Sequence, residues 1–162
     1  MMAENDQPNA EKQLLLQKIY IKDLSFESPR APAVFSSNAS PQTQLNIKST
    51  ARELAPDTQE VVLTLTLEVT DQEKTLFMVE IEQAGLFRIQ GYSDEERRLL
   101  IGSYCPGTLY PFAREAISDV VTRGGFPQLL LQPINFDGLY AQAVKDGGDG
   151  NGGSAETLQS TH

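Results

Sequence analysis

The sequence predicts an α+β domain, a four-stranded antiparallel sheet followed by two main helices. Three observations point there. Residues 61–70 alternate apolar and polar with the period of a strand that has one buried face. A second alternating run follows after a connection short enough for a hairpin. The segments of helical character, from Ser93 to Lys145, all come after these strands.

The first strand is expected from Leu14 to Phe26, and it carries apolar groups on both sides. Leu16, Tyr20, Leu24 and Phe26 share one parity, and Leu15, Ile19 and Ile21 the other, which Asp23, Ser25 and Glu27 continue as an acidic edge. The stretch ESPRAPAVFSSNASP then holds three prolines, which favour an extended crossover loop. A short second strand is expected around Leu45 and Ile47. In the third, Val61, Leu63, Leu65, Leu67 and Val69 form the apolar face; it starts after Pro56 and ends at the turn-like Asp71-Gln72. In the fourth, Phe77, Val79 and Ile81 oppose Glu80 and Glu82, and Ala84-Gly85 offers a place for a bulge before Leu86, Phe87 and Ile89. Ser93 with Asp94, Glu95 and Glu96 reads as a helix start. Leu109, Tyr110, Phe112, Ala113, Ala116, Ile117, Val120 and Val121 make a stripe wider than one sheet face covers, which suggests burial on two sides, partly against another subunit. Gly124-Gly125 is a stop signal. After FPQLLLQPIN, a last helix runs from Phe136 to about Lys145.

The chain has 162 residues, enough for one domain with a real core. Its 13 basic and 22 acidic side chains give a net charge of −9. Such a chain repels nucleic acid and anionic membranes and attracts basic polypeptide segments. The single cysteine, Cys105, permits no internal disulfide and fits a reducing compartment. The polar start MMAENDQPNAEKQ lacks the pattern of a secretory signal, and no apolar run approaches the ~20 residues of a membrane helix. Three regions are expected: a disordered leader (1–13), a folded domain (14–145) and a disordered, acidic, glycine-rich tail (146–162).

Groups for chemistry are sparse. The one histidine, His162, ends the tail, so a Ser-His or Cys-His pair is not expected. Cys105, in the YCPG turn, reads as a small buried hydrophobe. There is no zinc cluster, Walker loop or GxGxxG, and Asp146 and Asp149 lack the rest of a calcium loop. No catalytic residue, metal or cofactor is therefore predicted. The acidic pairs Glu80/Glu82 and Asp23/Glu27 read either as solvated sheet surface or as a contact for a basic partner, and pattern alone does not choose. Phe35, Phe77, Phe87, Tyr20 and Tyr140 read first as core, and a groove lined by some of them stays open.

Three blocks carry a resemblance: IYIKDLSFESP, FMVEIEQAGLFRI and YCPGTLYPFAREAISDVVTRGGFPQLLLQPINFD. In this order and at these separations they resemble the SecB family of bacterial protein-export chaperones, across roughly residues 17–145. The resemblance implies a cytoplasmic homotetramer, a dimer of dimers, that is not an enzyme. It would hold unfolded secretory precursor proteins and hand them to the SecA motor, without binding nucleic acid or inserting into the membrane. It also implies a four-stranded sheet with two main helices in each subunit.

By position, Leu45 and Ile47 on the second strand, Phe77 on the fourth, and Leu139, Tyr140 and Ala143 on the last helix would line a client groove. Asp23, Glu27, Met78 and Glu80 would contact SecA. Tyr110, Phe112, Ile117, Val120 and Val121 would pack between subunits. Ala84 stands where the family often has glycine, and Gly138 softens the last helix by ~1 kcal/mol relative to alanine. Two rival readings are a SecB-like chaperone dedicated to one client, such as an antitoxin, and an enzyme using Cys105 or a carboxylate pair; the absence of a histidine in the folded part speaks against the latter.

Overall fold

The computed structural model describes residues 11–36, 38, 40–147 and the backbone of 156–161. Most of the predicted leader, residues 1–10, and residues 148–155 and 162 of the predicted tail lie outside the described residues. Four long strands, β1 (Gln13–Glu27), β2 (Gln42–Ala55), β3 (Thr58–Asp71) and β4 (Lys74–Gln90), form an antiparallel sheet in the order β1-β4-β3-β2. A fifth strand, β5 (Glu156–Thr161), pairs antiparallel with the outer edge of β2. The helical part is α1 (Asp94–Leu99), a π-helical turn (Leu100–Tyr104), α2 (Cys105–Arg123) and α3 (Phe136–Lys145). The crossover loop holds one 3-10 turn, Ala33–Ser36.

The alternation of β3 becomes two faces. Val61, Leu63, Leu65 and Leu67 are fully buried under the helices, while Val62, Thr64, Thr66 and Glu68 are half-buried on the open face. Burying each Leu or Val contributes roughly 1.5–3 kcal/mol, so this strand anchors the core. The turn to β4 is tight because Gln72 and Glu73 both have positive φ (49° and 65°), a backbone hand that matches the twist of the flanking strands.

β1 explains its own double-sided pattern. Register shifts between Leu16 and Lys18 and between Ile21 and Asp23 change its phase twice. As a result Leu14, Leu16, Ile19, Ile21, Leu24 and Phe26 all pair with odd-numbered β4 residues, the core-facing set. The extra residues sit on β1, not at the Ala84-Gly85 position expected from sequence. Gly85 serves close packing instead: a Cβ there would lie 2.9 Å from the Phe87 ring and 3.0 Å from Leu109. β2 is far longer than expected; its outer half, Lys48 to Ala55, pairs with β3 through polar and small residues.

Ser93 caps α1 as predicted, accepting from the Glu96 amide while the Glu96 carboxylate accepts from the Ser93 amide. The YCPG segment is helix and not a turn: the π turn passes directly into α2, with Pro106 in its first turn, where a missing N–H removes no bond. At the other end, Gly125 (φ 89°) donates to the Thr122 carbonyl and Phe126 to Val121, a Schellman stop.

Candidate functional site

The core face of the sheet runs out into an aromatic cluster at one end. Phe26 stacks on Phe77 (centroids 6.0 Å apart), Phe77 meets Phe126 at 4.5 Å, and Phe126 meets Phe35 at 5.4 Å. Each ring comes from a different element: β1, β4, the segment after α2, and the crossover loop. Gly124 closes α2 over the cluster, since a Cβ there would overlap the Phe26 ring. Phe77 is 4 % exposed but Phe35 is 51 % exposed, so the cluster passes from core to surface. Nearby on the same face, Phe26, Val79, Leu67 and Leu45 form one cross-strand row, and Leu24, Ile81, Leu65 and Ile47 the next.

Leu45 (6 % exposed) and Ile47 (4 %) therefore lie in the core beside this cluster. The predicted wall on α3 lies elsewhere. Tyr140 packs its ring against Gly102 of the π turn, where a Cβ would overlap it. The Ser103 hydroxyl donates to the Asp137 carboxylate, and Phe136 meets Tyr110 edge-on at 5.7 Å. The Tyr110 hydroxyl donates to the Gln132 carbonyl. Leu139 packs on the core, and Ala143 is half-buried. Tyr110, which meets Phe136 of α3, and Gly124, at the aromatic cluster, are separated by ~21 Å of helix at 1.5 Å per residue. The sheet residues and the α3 residues thus stand at opposite ends of α2, joined by the extended segment 126–135 that runs back along it. Phe26 and Phe126 are not among the predicted site residues, and Phe35 is read first as core with a groove role left open; no local pattern links the three, because their contacts join distant segments.

The open face carries charge in two zones. Register places Asp23 opposite Glu82, Ser25 opposite Glu80 and Glu27 opposite Met78, with Glu68 next to Met78 on β3. The four residues expected to contact SecA (Asp23, Glu27, Met78 and Glu80) share this patch. Glu80 accepts from the Thr66 hydroxyl at 3.1 Å and Glu68 from Thr75 at 2.8 Å; no ion pair joins these carboxylates among the described residues. Further along, Glu60 is buried beneath Tyr20, Lys22 and Arg52. The Tyr20 hydroxyl donates to it, and that bond, with the Lys22 and Arg52 charges, holds its carboxyl below the usual range against the opposing effect of burial. Tyr20 in turn is pushed up to about 12, first by burial and then by Glu60.

Of the residues expected between subunits, Tyr110, Ile117 and Val121 are buried in the chain's own core, and Val120 is half-buried against it. Phe112 alone among them is exposed (45 %), along with Tyr104 two turns earlier. The breadth of the stripe is thus largely used by the sheet on one side and by α3 with its preceding segment on the other. Cys105 is fully buried, and burial pushes its thiol up to about 12, which suits a packing role. Among the described residues no His/Cys/Asp/Glu group is arranged to hold a metal, and no helix is long and apolar enough to cross a membrane.

Comparison with known proteins meets this geometry from another side. A SecB-like chaperone of Mycobacterium tuberculosis, solved with an antitoxin peptide, superposes with a TM-score of 0.63 at 19 % identity, covering 75 % of this chain and 90 % of its own. That likeness establishes the fold. The protein-export protein SecB of Methylococcus capsulatus is 50 % identical over 145 residues, covering 90 % of this chain and 92 % of that one. The protein of the same name from Legionella pneumophila is 46 % identical over 153 residues, or 94 % of each chain. The family model described as preprotein translocase subunit SecB matches residues 7–147. With that match spanning every strand of the four-stranded sheet and all three helices, the chain belongs to the SecB family.

Proposed function

We propose that this protein is an ATP-independent holdase in protein export: it binds unfolded secretory precursors, keeps them competent for translocation and delivers them to SecA. The observation that carries this reading is the family match across the whole described domain, shared with relatives that are named export proteins. The chaperone role requires no bond to be made or broken. A holdase that binds the unfolded state shifts the folding equilibrium of its client by mass action.

The geometry supports the same reading. The aromatic cluster of Phe26, Phe35, Phe77 and Phe126 offers apolar surface at the end of the sheet, and rings give large contact area at low rotamer cost. With Leu45 and Ile47 beside it, this end is the client groove; Leu139, Tyr140 and Ala143 extend it along segment 126–135. On the opposite face, Asp23, Glu27, Met78 and Glu80 form the SecA contact. Asp23 and Glu82 are like charges directly across a strand pair, an arrangement that opposes folding and so calls for a reason outside the chain. A basic partner supplies one, with attraction that steers encounter and weakens in salt. Phe112 and Tyr104 face a neighbouring subunit in a cytoplasmic tetramer, a dimer of dimers. Four copies bring several grooves to one client and add avidity by effective concentration.

The test is binding of one secretory precursor, presented unfolded and folded, with the mass of the complex read by light scattering. The expected result is binding of the unfolded form alone, on a particle of four subunits. Equal binding of both forms, or of neither, refutes the reading.

A further inference from the structure

The outer edge of β2 is not bare. Residues Gln42 to Ile47 pair antiparallel with Thr161 to Glu156, with Leu158 opposite Leu45 and Glu156 opposite Ile47. These six β2 residues include both groove residues of that strand, and they lie on the rows that lead to Phe26 and Phe77. A sheet edge is a row of unpaired backbone donors and acceptors that any extended segment can complete, with little demand on sequence. The segment that completes it here, ETLQST, is polar and would not be chosen for apolar burial.

Ten residues, Asp146 to Ala155, connect α3 to β5, and five of them are glycine. Ten residues span at most ~33–36 Å. A tether this short and rich in glycine holds its end at a millimolar effective concentration, so even a weakly pairing strand occupies the edge for much of the time.

We infer that β2 at Gln42–Ile47 is a strand-addition site whose resident occupant is the chain's own C-terminal segment, and that an extended client segment must displace Glu156–Thr161 to add there. The inference rests on the holdase reading and assigns the tail a role in it, that of an internal competitor. An occupied edge lowers apparent client affinity by the fraction of chains that are open. If the tail covers the edge for half to nine-tenths of the time, its removal tightens client binding by ~2- to 10-fold.

The test compares the full chain with a Thr157→Pro, Leu158→Pro double variant, which keeps length and charge. Adjacent prolines remove ladder donors on both sides of the strand. The first readout is hydrogen exchange of the 42–47 amides, which requires no client. The second is affinity for a reduced, carboxymethylated and permanently unfolded polypeptide, with and without a synthetic ETLQST peptide. The expected results are faster exchange at 42–47 in the variant, ~2- to 10-fold tighter binding, and partial reversal by the peptide. Unchanged exchange at 42–47 overturns the pairing. Faster exchange with unchanged affinity overturns the competition while leaving the holdase reading intact. If neither folded protein binds the unfolded polypeptide, the holdase reading itself fails, and the competition fails with it.

Discussion

Replacing Gly102 with alanine sets two effects of known sign against each other. Gly102 lies in the π turn, and its missing side chain is the seat of the Tyr140 ring. Alanine in a helix is favoured over glycine by up to ~1 kcal/mol, so the α1–α2 rod gains. The added methyl overlaps Tyr140, however, and overpacking of this kind costs about 1–3 kcal/mol. That strain can be relieved by α3 leaving its dock, because α3 is held there by the Tyr140 contact, the Ser103–Asp137 bond and the Tyr110–Phe136 ring pair. The expected outcome is therefore local. Amides of residues 136–145 exchange ~5- to 150-fold faster, at tenfold per 1.4 kcal/mol, while the midpoint of global unfolding moves little. Hydrogen-exchange mass spectrometry reads both. Tyr140→Ala loosens α3 by itself, and on that background Gly102→Ala no longer costs anything. The double-mutant cycle then shows a coupling of ~1 kcal/mol or more. Wild-type exchange in α3 of Gly102→Ala, or additivity of the two changes, would refute the seat-and-ring account of the dock.

Three further outcomes are expected. The folded-state carboxyl of Glu60 is depressed, so its stabilisation is present above the ordinary carboxylate value of 4.5 and is lost as pH falls through the lower folded value. Glu60→Gln, by weakening a buried charged acceptor, costs about 1–3 kcal/mol in urea unfolding at pH 7 and much less at pH 3; an equal cost at both would show that the charge does not matter. Cys105, with its thiol pushed up to about 12 and fully buried, reacts with a disulfide reagent at pH 8 only as fast as the chain opens, and rapid labelling of the native protein would contradict this. Asp23→Ala with Glu27→Ala weakens calorimetric affinity for SecA several-fold, most at low salt, and leaves binding of an unfolded client unchanged; wild-type SecA affinity would remove these residues from that contact.

Legibility followed the physics of each element. β3 and β4 were readable because one buried face forces strict alternation, and Ser93 because a capping box is local in sequence. β2 was read too short, since its outer half carries Lys48, Thr50, Arg52 and Glu53 and buries little. The bulges of β1 left a trace, apolar residues on both parities, but only pairing with β4 shows where the phase changes. β5 left none, because edge addition draws on backbone groups that every sequence carries. The aromatic cluster was legible only in part, through Phe77 and the open reading of Phe35, for a different reason: its rings come from positions 26, 35, 77 and 126, and no local pattern links them.

The π turn between α1 and α2 makes residue number a structural variable in its own right. It accommodates one residue more than an α-helical turn does, without breaking the rod. Deleting one residue between Leu100 and Tyr104 would turn the π turn into an ordinary α-helical one and leave the rod continuous. The widened turn absorbs its extra residue locally, so α1 would keep nearly the same phase relative to α2. Arg97, which donates to the Ile89 carbonyl at 3.0 Å and lies 3.9 Å from Asp57, would still face the sheet it fastens. In this stretch a frame-preserving loss of a single codon keeps the helix phase, whereas the same loss within the α-helical turns of α2 would rotate α1 by about 100° relative to the rest of α2.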